Sequence, residues 1–296
     1  MTTTAVVIAD SIGPFHPRIT TLQLRYPRFI HSEFMTHRVF SRNASSSRAI
    51  PVSRMINTVM MDPVIPSYWG ANQAGMQARE ECNNEILLHR EGNVDREHAW
   101  LYARDHAIAV ALAFEKAGYH KQIVNRLLEP WGHINVIVTS TDYQNFFELR
   151  RHRDAQPEIQ ELANAMYEAM QHSEPTFLQP GQWHMPYVVE DNLRTEHLYL
   201  NTALACSVAR CARVSYLTHD MKKPEWKEDF NLFTKLMDSH PIHASPAEHQ
   251  ATPDTFDPLS YEPVWNHPIL HANFKGWCQY RQVLAHKHVP VPHFNF

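Results

Sequence analysis

The sequence predicts an α/β (α+β) fold. Three short apolar runs have strand character, longer amphipathic stretches between them have helical character, and no heptad, low-complexity tract or tandem repeat intervenes. Ala5–Ala9 (AVVIA) is a short buried strand, ended by the turn residues Gly13–Pro17. Ile19–Tyr26 (ITTLQLRY) sets Ile19, Leu22 and Leu24 at a rough period of two, and Ile134–Thr139 (INVIVT) is the clearest strand of all.

The helices follow from their start and stop residues. Pro27 opens one through Phe29, Ile30, Phe34 and Met35, whose end presents His37 and Arg38. A Ser-rich bend then runs to Pro51. Trp69–Gln73 begins a loop, and helices are predicted over Met76–Glu91 and Glu97–Lys116, with Gly118 as the C′ residue of the second. A short helix over Lys121–Leu128 stops before Pro130. Ser140 or Thr141 caps a helix carrying Asn145 and Arg150, and Pro157 starts another to Met170. Residues 171–200 are expected to form a Pro-rich surface excursion. Thr202–Arg213 and Trp226–Met237 are predicted helices, His240–Glu248 a loop and Phe274–Arg281 an aromatic packing helix. Residues 1–296 are expected to form one domain, in stretches 1–170, 171–200 and 201–296.

Composition excludes several classes of function. With 44% apolar residues among 296, the chain can bury a real core. A net charge of −4 supplies no basic field, so duplex nucleic acid is not an expected partner and local arginine clusters serve small anions. Cys82, Cys206, Cys211 and Cys278 lack C-x-x-C spacing, which fits a reducing compartment without structural zinc. No basic leader precedes the first strand and no apolar run reaches the roughly 18 residues of a membrane span, so a soluble, cytoplasmic protein is expected. The eight glycines include no G-x-G or P-loop spacing, so a dinucleotide would have to be held by side chains and subunit surfaces. The 21 histidines invite a metal, but His267 and His271 are separated by Pro268, His286 and His288 lie in a Pro-rich tail, and no carboxylate completes a set; no metal is expected.

Thr36–Arg48 (THRVFSRNASSSR) carries most of the chemical information. Three arginines, His37, Asn43 and four serines crowd one short segment. Arginine forks, hydroxyls and bend N–H groups suit a phosphate ester, although on composition alone the segment is a solvated Ser-rich loop. Its spacing resembles the R-H-R-x-x-S-x-N-E-x-S-x-R signature of the flavin-dependent thymidylate synthase family. His37, Arg38, Ser41, Asn43, Ser46 and Arg48 fall on six of its eight fixed positions, while Thr36 replaces the first Arg and Ala44 the Glu. Ala212–Tyr216 (ARVSY) and His243–His249 (HASPAEH) resemble two more family segments, which in the family precede the signature and here follow it. Asn125–Pro130 resembles A-R-x-x-L-P, and Asn145–Glu158 resembles N-F-L-x-L-R-x-x-x-x-A-Q-x-E. The chain therefore looks like a circularly permuted relative with a mixed sheet, in which His249 and Ile19 lie close in space.

The resemblance implies a function and a set of roles. Ser46, Ser47, Arg48 and Arg126 would hold the sugar-phosphate of a pyrimidine deoxynucleotide. Glu33 and Arg150 would face the base, with Arg150 stabilising charge as the ring is attacked at C6. His37, Arg38, Asn145, Ser215, His243, Ser245 and Glu248 would bind FAD, although Ser245 and Glu248 also fit a helix cap. The implied reaction is FAD-dependent transfer of a one-carbon unit from methylenetetrahydrofolate to C5, most directly dUMP to dTMP with NADPH, in a homotetramer. Departures keep two alternatives open. Glu33 stands where the family commonly has Gln, which admits dCMP or a hydroxymethyl product. Thr36, Ala44 and Thr139-Ser140-Thr141, the last in place of an N-x-R, remove family groups and admit a non-catalytic flavin- or nucleotide-binding relative.

Overall fold

In the computed structural model, residues 3–75, 78–188, 199–214, 222, 224–256 and 264–286 are described. Strands β1 (Thr4–Ile12) and β2 (Ile19–Pro27) lead into helix α1 (His31–Phe34), strand β3 (Ser41–Ala44) and helix α2 (Val52–Met61). A hairpin of β4 (Ile86–Leu88) and β5 (Gly92–Val94) precedes α3 (Arg96–Lys116) and α4 (Lys121–Val124), which continues as a 3-10 helix over Asn125–Trp131. Then come β6 (His133–Ser140), α5 (Gln144–Arg150), α6 (Pro157–Gln171), β7 (Thr176–Phe177), α7 (Leu200–Arg213), α8 (Trp226–Met237), β8 (Ala251–Pro253), β9 (Trp277–Gln279) and α9 (Tyr280–Ala285).

The main sheet has the order β3-β6-β2-β1-β7. Every pair is antiparallel except β1 with β7. Side-chain alternation gives it two unlike faces. Leu22, Leu24 and Tyr26 of β2 and Ile134, Val136 and Val138 of β6 point to one side, where they pack with Ile159, Leu162, Ala163 and Met166 of α6. Those four α6 positions recur at helical spacing, so α6 lays one apolar stripe on the sheet. The opposite face carries Thr21 and Thr139, directly paired across β2 and β6, and is covered by the C-terminal part of the chain. There Ile19 packs with Ala251, Phe274 and Trp277, so the segment just past His249 reaches Ile19 as expected. A buried ion pair of Arg210 with Asp229 (2.8 Å), joined by Arg213, ties α7 to α8.

Several elements differ from the sequence expectation. No helix forms over the described part of 76–91. The chain there makes a ribbon and then the β4–β5 hairpin, because Gly75 and Gly92 adopt positive φ (98° and 77°) and Ile86–Leu88 form no helical stripe. The Ser-rich bend contains β3, a polar strand that pairs through its backbone with β6 at the sheet edge. The helix after β6 begins at Gln144, and Asp142 Oδ1, not Ser140 or Thr141, accepts its first N–H (3.0 Å). The helical path from Lys121 runs through Pro130 in 3-10 form. Residues 181–188 turn inward from the expected surface excursion, burying His184. Gly276 (φ 78°) prevents a helix over 274–281, which instead gives β9 and then α9. Ser245 begins a four-residue 3-10 turn with no side-chain cap, so its capping role is not realised.

Leu162 is fully buried between α6 and the sheet. Leu162→Ala should lower unfolding stability by about 2–5 kcal/mol through lost transfer energy and the cavity left behind. Urea denaturation should show a lower midpoint with an unchanged slope.

Candidate functional site

The sequence-predicted residues gather in three places. The first is built on the turn after α1. Arg42 points inward from β3 and donates through Nη1 to the carbonyls of Phe34, Met35 and His37 (3.3, 3.0 and 3.1 Å), so it closes the end of α1 and is not an anion receptor. That clamp fixes His37, whose ring lies edge-on to Phe146 (4.9 Å). Burial, with Arg150 and Arg42 nearby, holds the His37 pKa down at about 4, so the imidazole is neutral near pH 7. Its Nε2 accepts from Arg150 Nε (3.0 Å), while Arg150 Nη1 reaches Glu33 and Nη2 reaches Thr36 Oγ1, each at 3.4 Å. Glu33, His37 and Arg150 are thus one unit. Glu33 and Arg150 line a cleft of about 1200 Å3 together with Phe29, Tyr68, Trp100 and Gln156.

The second group lies at the turn following β3. Asn125 Nδ2 donates to the carbonyls of Ser47 and Ile50 (2.8 and 2.9 Å), lashing that turn to the 3-10 helix that bears Arg126. Ser46 and Arg48 are exposed beside it, with Arg48 Nε 3.5 Å from Ser46 Oγ. Ser47 and Arg126 already hold an anion, the carboxylate of Glu129. Ser47 Oγ donates to it at 2.6 Å, Arg126 Nη1 lies 3.1 and 3.2 Å from its oxygens, and Arg28 pairs with it at 3.0 Å. The sequence showed the cations, whereas Glu129 as their internal partner required the fold.

The third group brings the HASPAEH loop against β3. Asn43 is best oriented with Nδ2 toward His249 Nε2 (3.0 Å) and the Ser245 carbonyl (3.1 Å), and with Oδ1 accepting from Ser245 Oγ (3.3 Å). The opposite orientation turns its oxygen on acceptors only. From there a chain of hydrogen bonds crosses the polar sheet face: His249 Nδ1 to Thr139 Oγ1 (2.8 Å), Thr139 to Thr21 (2.7 Å), Thr21 to His184 Nε2 (2.7 Å) and His184 Nδ1 to Ser11 (2.9 Å). Each hydroxyl has one proton, so with Asn43 donating to His249 the whole chain is satisfied in one direction by two neutral Nδ1–H histidines. Glu248 is ion-paired with Arg281, and His243 is exposed. Arg38 and Asn145 are exposed as well, and Ser215 lies outside the described residues. The Arg38 guanidinium and the Ser245 hydroxyl fit the donor chemistry a flavin dinucleotide needs, and these residues flank the edge strand β3, outside the cleft.

A carboxylate does complete a histidine set, contrary to expectation. Buried Asp254 takes His267 Nδ1 (2.7 Å) and His271 Nε2 (2.9 Å), near Cys278. The Gly276 N–H donates to His271 Nδ1 (3.3 Å), which leaves the proton on Nε2, aimed at Asp254. That tautomer makes Asp254 the hub of a hydrogen-bonded cluster.

Burial lowers the pKa of His37 and His133 to about 4 and of His184 and His249 to about 3. The unfolded chain binds these protons near pH 6.5 and the folded chain does not, so stability is fully present above pH 6.5 and is lost as pH falls toward 4. Thermal unfolding should show Tm falling steadily across that window. His184→Gln with His249→Gln should flatten the slope.

The family model described as thymidylate synthase complementing protein matches residues 13–176, more than half of the chain. No curated protein matches. Among solved structures, the crystal structure of a UMP/dUMP methylase, PolB from Streptomyces cacaoi, bound with 5-Br dUMP, is similar at 18% identity and a TM-score of 0.36, over 53% of this chain and 67% of that one. The matched residues 13–176 contain the THRVFSRNASSSR and NFFELRR segments, and the chain belongs to the thymidylate synthase complementing protein family, that of the flavin-dependent thymidylate synthases.

Proposed function

We propose that this chain transfers a one-carbon unit from methylenetetrahydrofolate to C5 of a pyrimidine deoxynucleotide, converting dUMP to dTMP with FAD and NADPH. The observation that carries the proposal is Arg150. Its guanidinium is pinned by neutral His37, by Glu33 and by Thr36 at the wall of the cleft. A cation oriented in advance stabilises negative charge on a pyrimidine ring without reorganising as the charge develops. Glu33 and Arg150 together offer an acceptor and a donor to the base edge, and the turn carrying Ser46, Ser47, Arg48 and Arg126 offers donors to a phosphate. Phosphate must displace Glu129 from Arg126, or share that arginine with it.

On the flavin side, Arg38, Asn145, His243 and Ser245 would hold the cofactor, with Ser215 and Glu248 carried over from the family. Bound and reduced, FAD would supply the hydride that completes the methyl group. These side chains being exposed in one chain accords with a site completed by a second copy, as in a homotetramer. A second base is favoured by one observation, the Glu33 carboxylate beside Arg150. It accepts from an exocyclic amino group, which makes dCMP the competing substrate.

Incubation with FAD, NADPH, methylenetetrahydrofolate and either dUMP or dCMP, followed by mass analysis, should yield dTMP from dUMP. A product only from dCMP transfers the assignment to cytosine, and no product from either base defeats it. Arg48→Ala should weaken nucleotide binding about tenfold to a hundredfold and spare flavin, and Arg38→Ala should do the reverse. Calorimetric titration with dUMP and FAD distinguishes them, and equal losses in both variants would show that the segment is only structural.

A further inference from the structure

The carboxylate of Glu129 sits where the turn after β3 meets the 3-10 helix over Asn125–Trp131. Its two oxygens are unequally loaded. Oε1 takes Ser47 Oγ (2.6 Å), Arg28 Nη2 (3.0 Å) and Arg126 Nη1 (3.1 Å), whereas Oε2 takes Arg126 Nη1 at 3.2 Å. A carboxylate oxygen has two lone pairs, so three donors on Oε1 exceed its best directions. The backbone beneath the side chain is held, because Pro130 follows Glu129 and the Gly132 N–H donates to its carbonyl (3.1 Å).

The donors differ in access. Ser47 is buried and the Arg28 side chain is 18% exposed, while that of Arg126 is 56% exposed. The Glu129 carboxylate therefore lies between a solvent-facing guanidinium and two inner donors. An anion arriving from solvent meets Arg126 first, and reaches Ser47 and Arg28 only at the place the carboxylate holds. Asn125–Pro130 has Glu129 where the segment it resembles, A-R-x-x-L-P, has Leu, so this carboxylate is a feature of this chain and not of the resemblance.

A phosphate monoester matches this donor set better. It brings roughly two negative charges near neutral pH and three terminal oxygens, enough to give Ser47, Arg28 and Arg126 an oxygen each. Forked guanidiniums favour such an anion for the same reason. With Glu129 in place, two positive charges already face one negative charge, and the attraction left for a small anion in solution is reduced. Moving the carboxylate costs its charge-assisted hydrogen bonds. A ligand overcomes that cost more readily when it also binds through other groups.

We propose that Glu129 is an internal competitor for the nucleotide's phosphate: the phosphate replaces its carboxylate on Ser47, Arg28 and Arg126, and the carboxylate turns out toward solvent. Glu129 thereby sets specificity. A free phosphate gains only these donors and must break the internal pair, whereas a nucleotide adds the binding of its base and sugar. The same exchange assigns Arg28, which lies outside the segments that resemble the family, to the phosphate. That a nucleotide is the ligand rests on the function proposed above; the exclusion of small anions by Glu129 does not.

The test titrates the full chain with dUMP, inorganic phosphate and deoxyuridine in a calorimeter. Glu129→Gln keeps the shape of the side chain and removes its charge. It should tighten dUMP and inorganic phosphate by the same factor, about tenfold, and leave deoxyuridine unchanged. Glu129→Leu should tighten both anions as well, and circular dichroism reports which variants keep the wild-type fold. Adding Arg28→Ala to Glu129→Gln should cancel the gain. Weaker, unchanged or absent binding of dUMP and phosphate in the folded Glu129 variants overturns the proposal, since the carboxylate would then be holding the donors in place. An equal gain for deoxyuridine also overturns it, because the effect would not lie at the phosphate. Tighter phosphate binding that depends on Arg28, without any product from dUMP or dCMP, would leave the competition standing and remove the reaction.

Discussion

The line of hydrogen bonds from Asn43 through His249, Thr139, Thr21 and His184 to Ser11 is the constraint on which the arrangement of the chain depends. Hydroxyls and imidazoles buried without partners would each cost on the order of 1–3 kcal/mol, so the sheet face that bears Thr21 and Thr139 can be covered only by segments that complete their bonding. His249 and His184, far from each other and from the strands in sequence, do so. Register is fixed by the same requirement. A slip of one residue between β2 and β6 would present apolar side chains to the histidines and hydroxyls to the α6 core. The meeting of the HASPAEH loop with the signature segment is thus a by-product of satisfying the polar sheet face.

A second polar device grows from that edge. Arg42 spends its charge on three backbone carbonyls at the end of α1, which sets the position of His37. His37, kept neutral by burial, then supplies the lone pair that orients Arg150. Each step converts a generic property, a forked donor or a desolvated imidazole, into a fixed direction for the next group. The cation that faces the cleft is oriented in part by the buried His37, and the desolvation that keeps this imidazole neutral links the site to the acid sensitivity of the fold.

Legibility in the sequence tracked how local the determining physics is. β1, β2 and β6 were readable from apolar runs and alternation, and α3, α6, α7 and α8 from caps, spacing and length. β3 was not, because an edge strand with polar side chains has no apolar alternation and exists through its backbone pairing with β6. The helix expected over 76–91 failed for a related reason. Its charged residues permit a helix, but the contact of Gly70 with Ala78 and the support of Trp69 and Trp100 close a ribbon there. The inward turn at 181–188 likewise depends on His184 finding Thr21 and Ser11.

The sequence by itself determined which chemical groups are available: the family's arginine and serine positions, the departures at Thr36, Ala44 and Glu33, and the absence of glycine fingerprints for a nucleotide loop. These follow from residue identity and spacing along one strand or helix, which are local properties. Only the tertiary structure decided what each group is committed to. Arg42 is consumed by carbonyls, Arg126 by Glu129 and Glu248 by Arg281, whereas Arg150 is aimed into the cleft and Arg79 is left without a partner among the described residues. Charge becomes function only after desolvation and pairing have chosen its partner, and those are set by residues that come together across the fold.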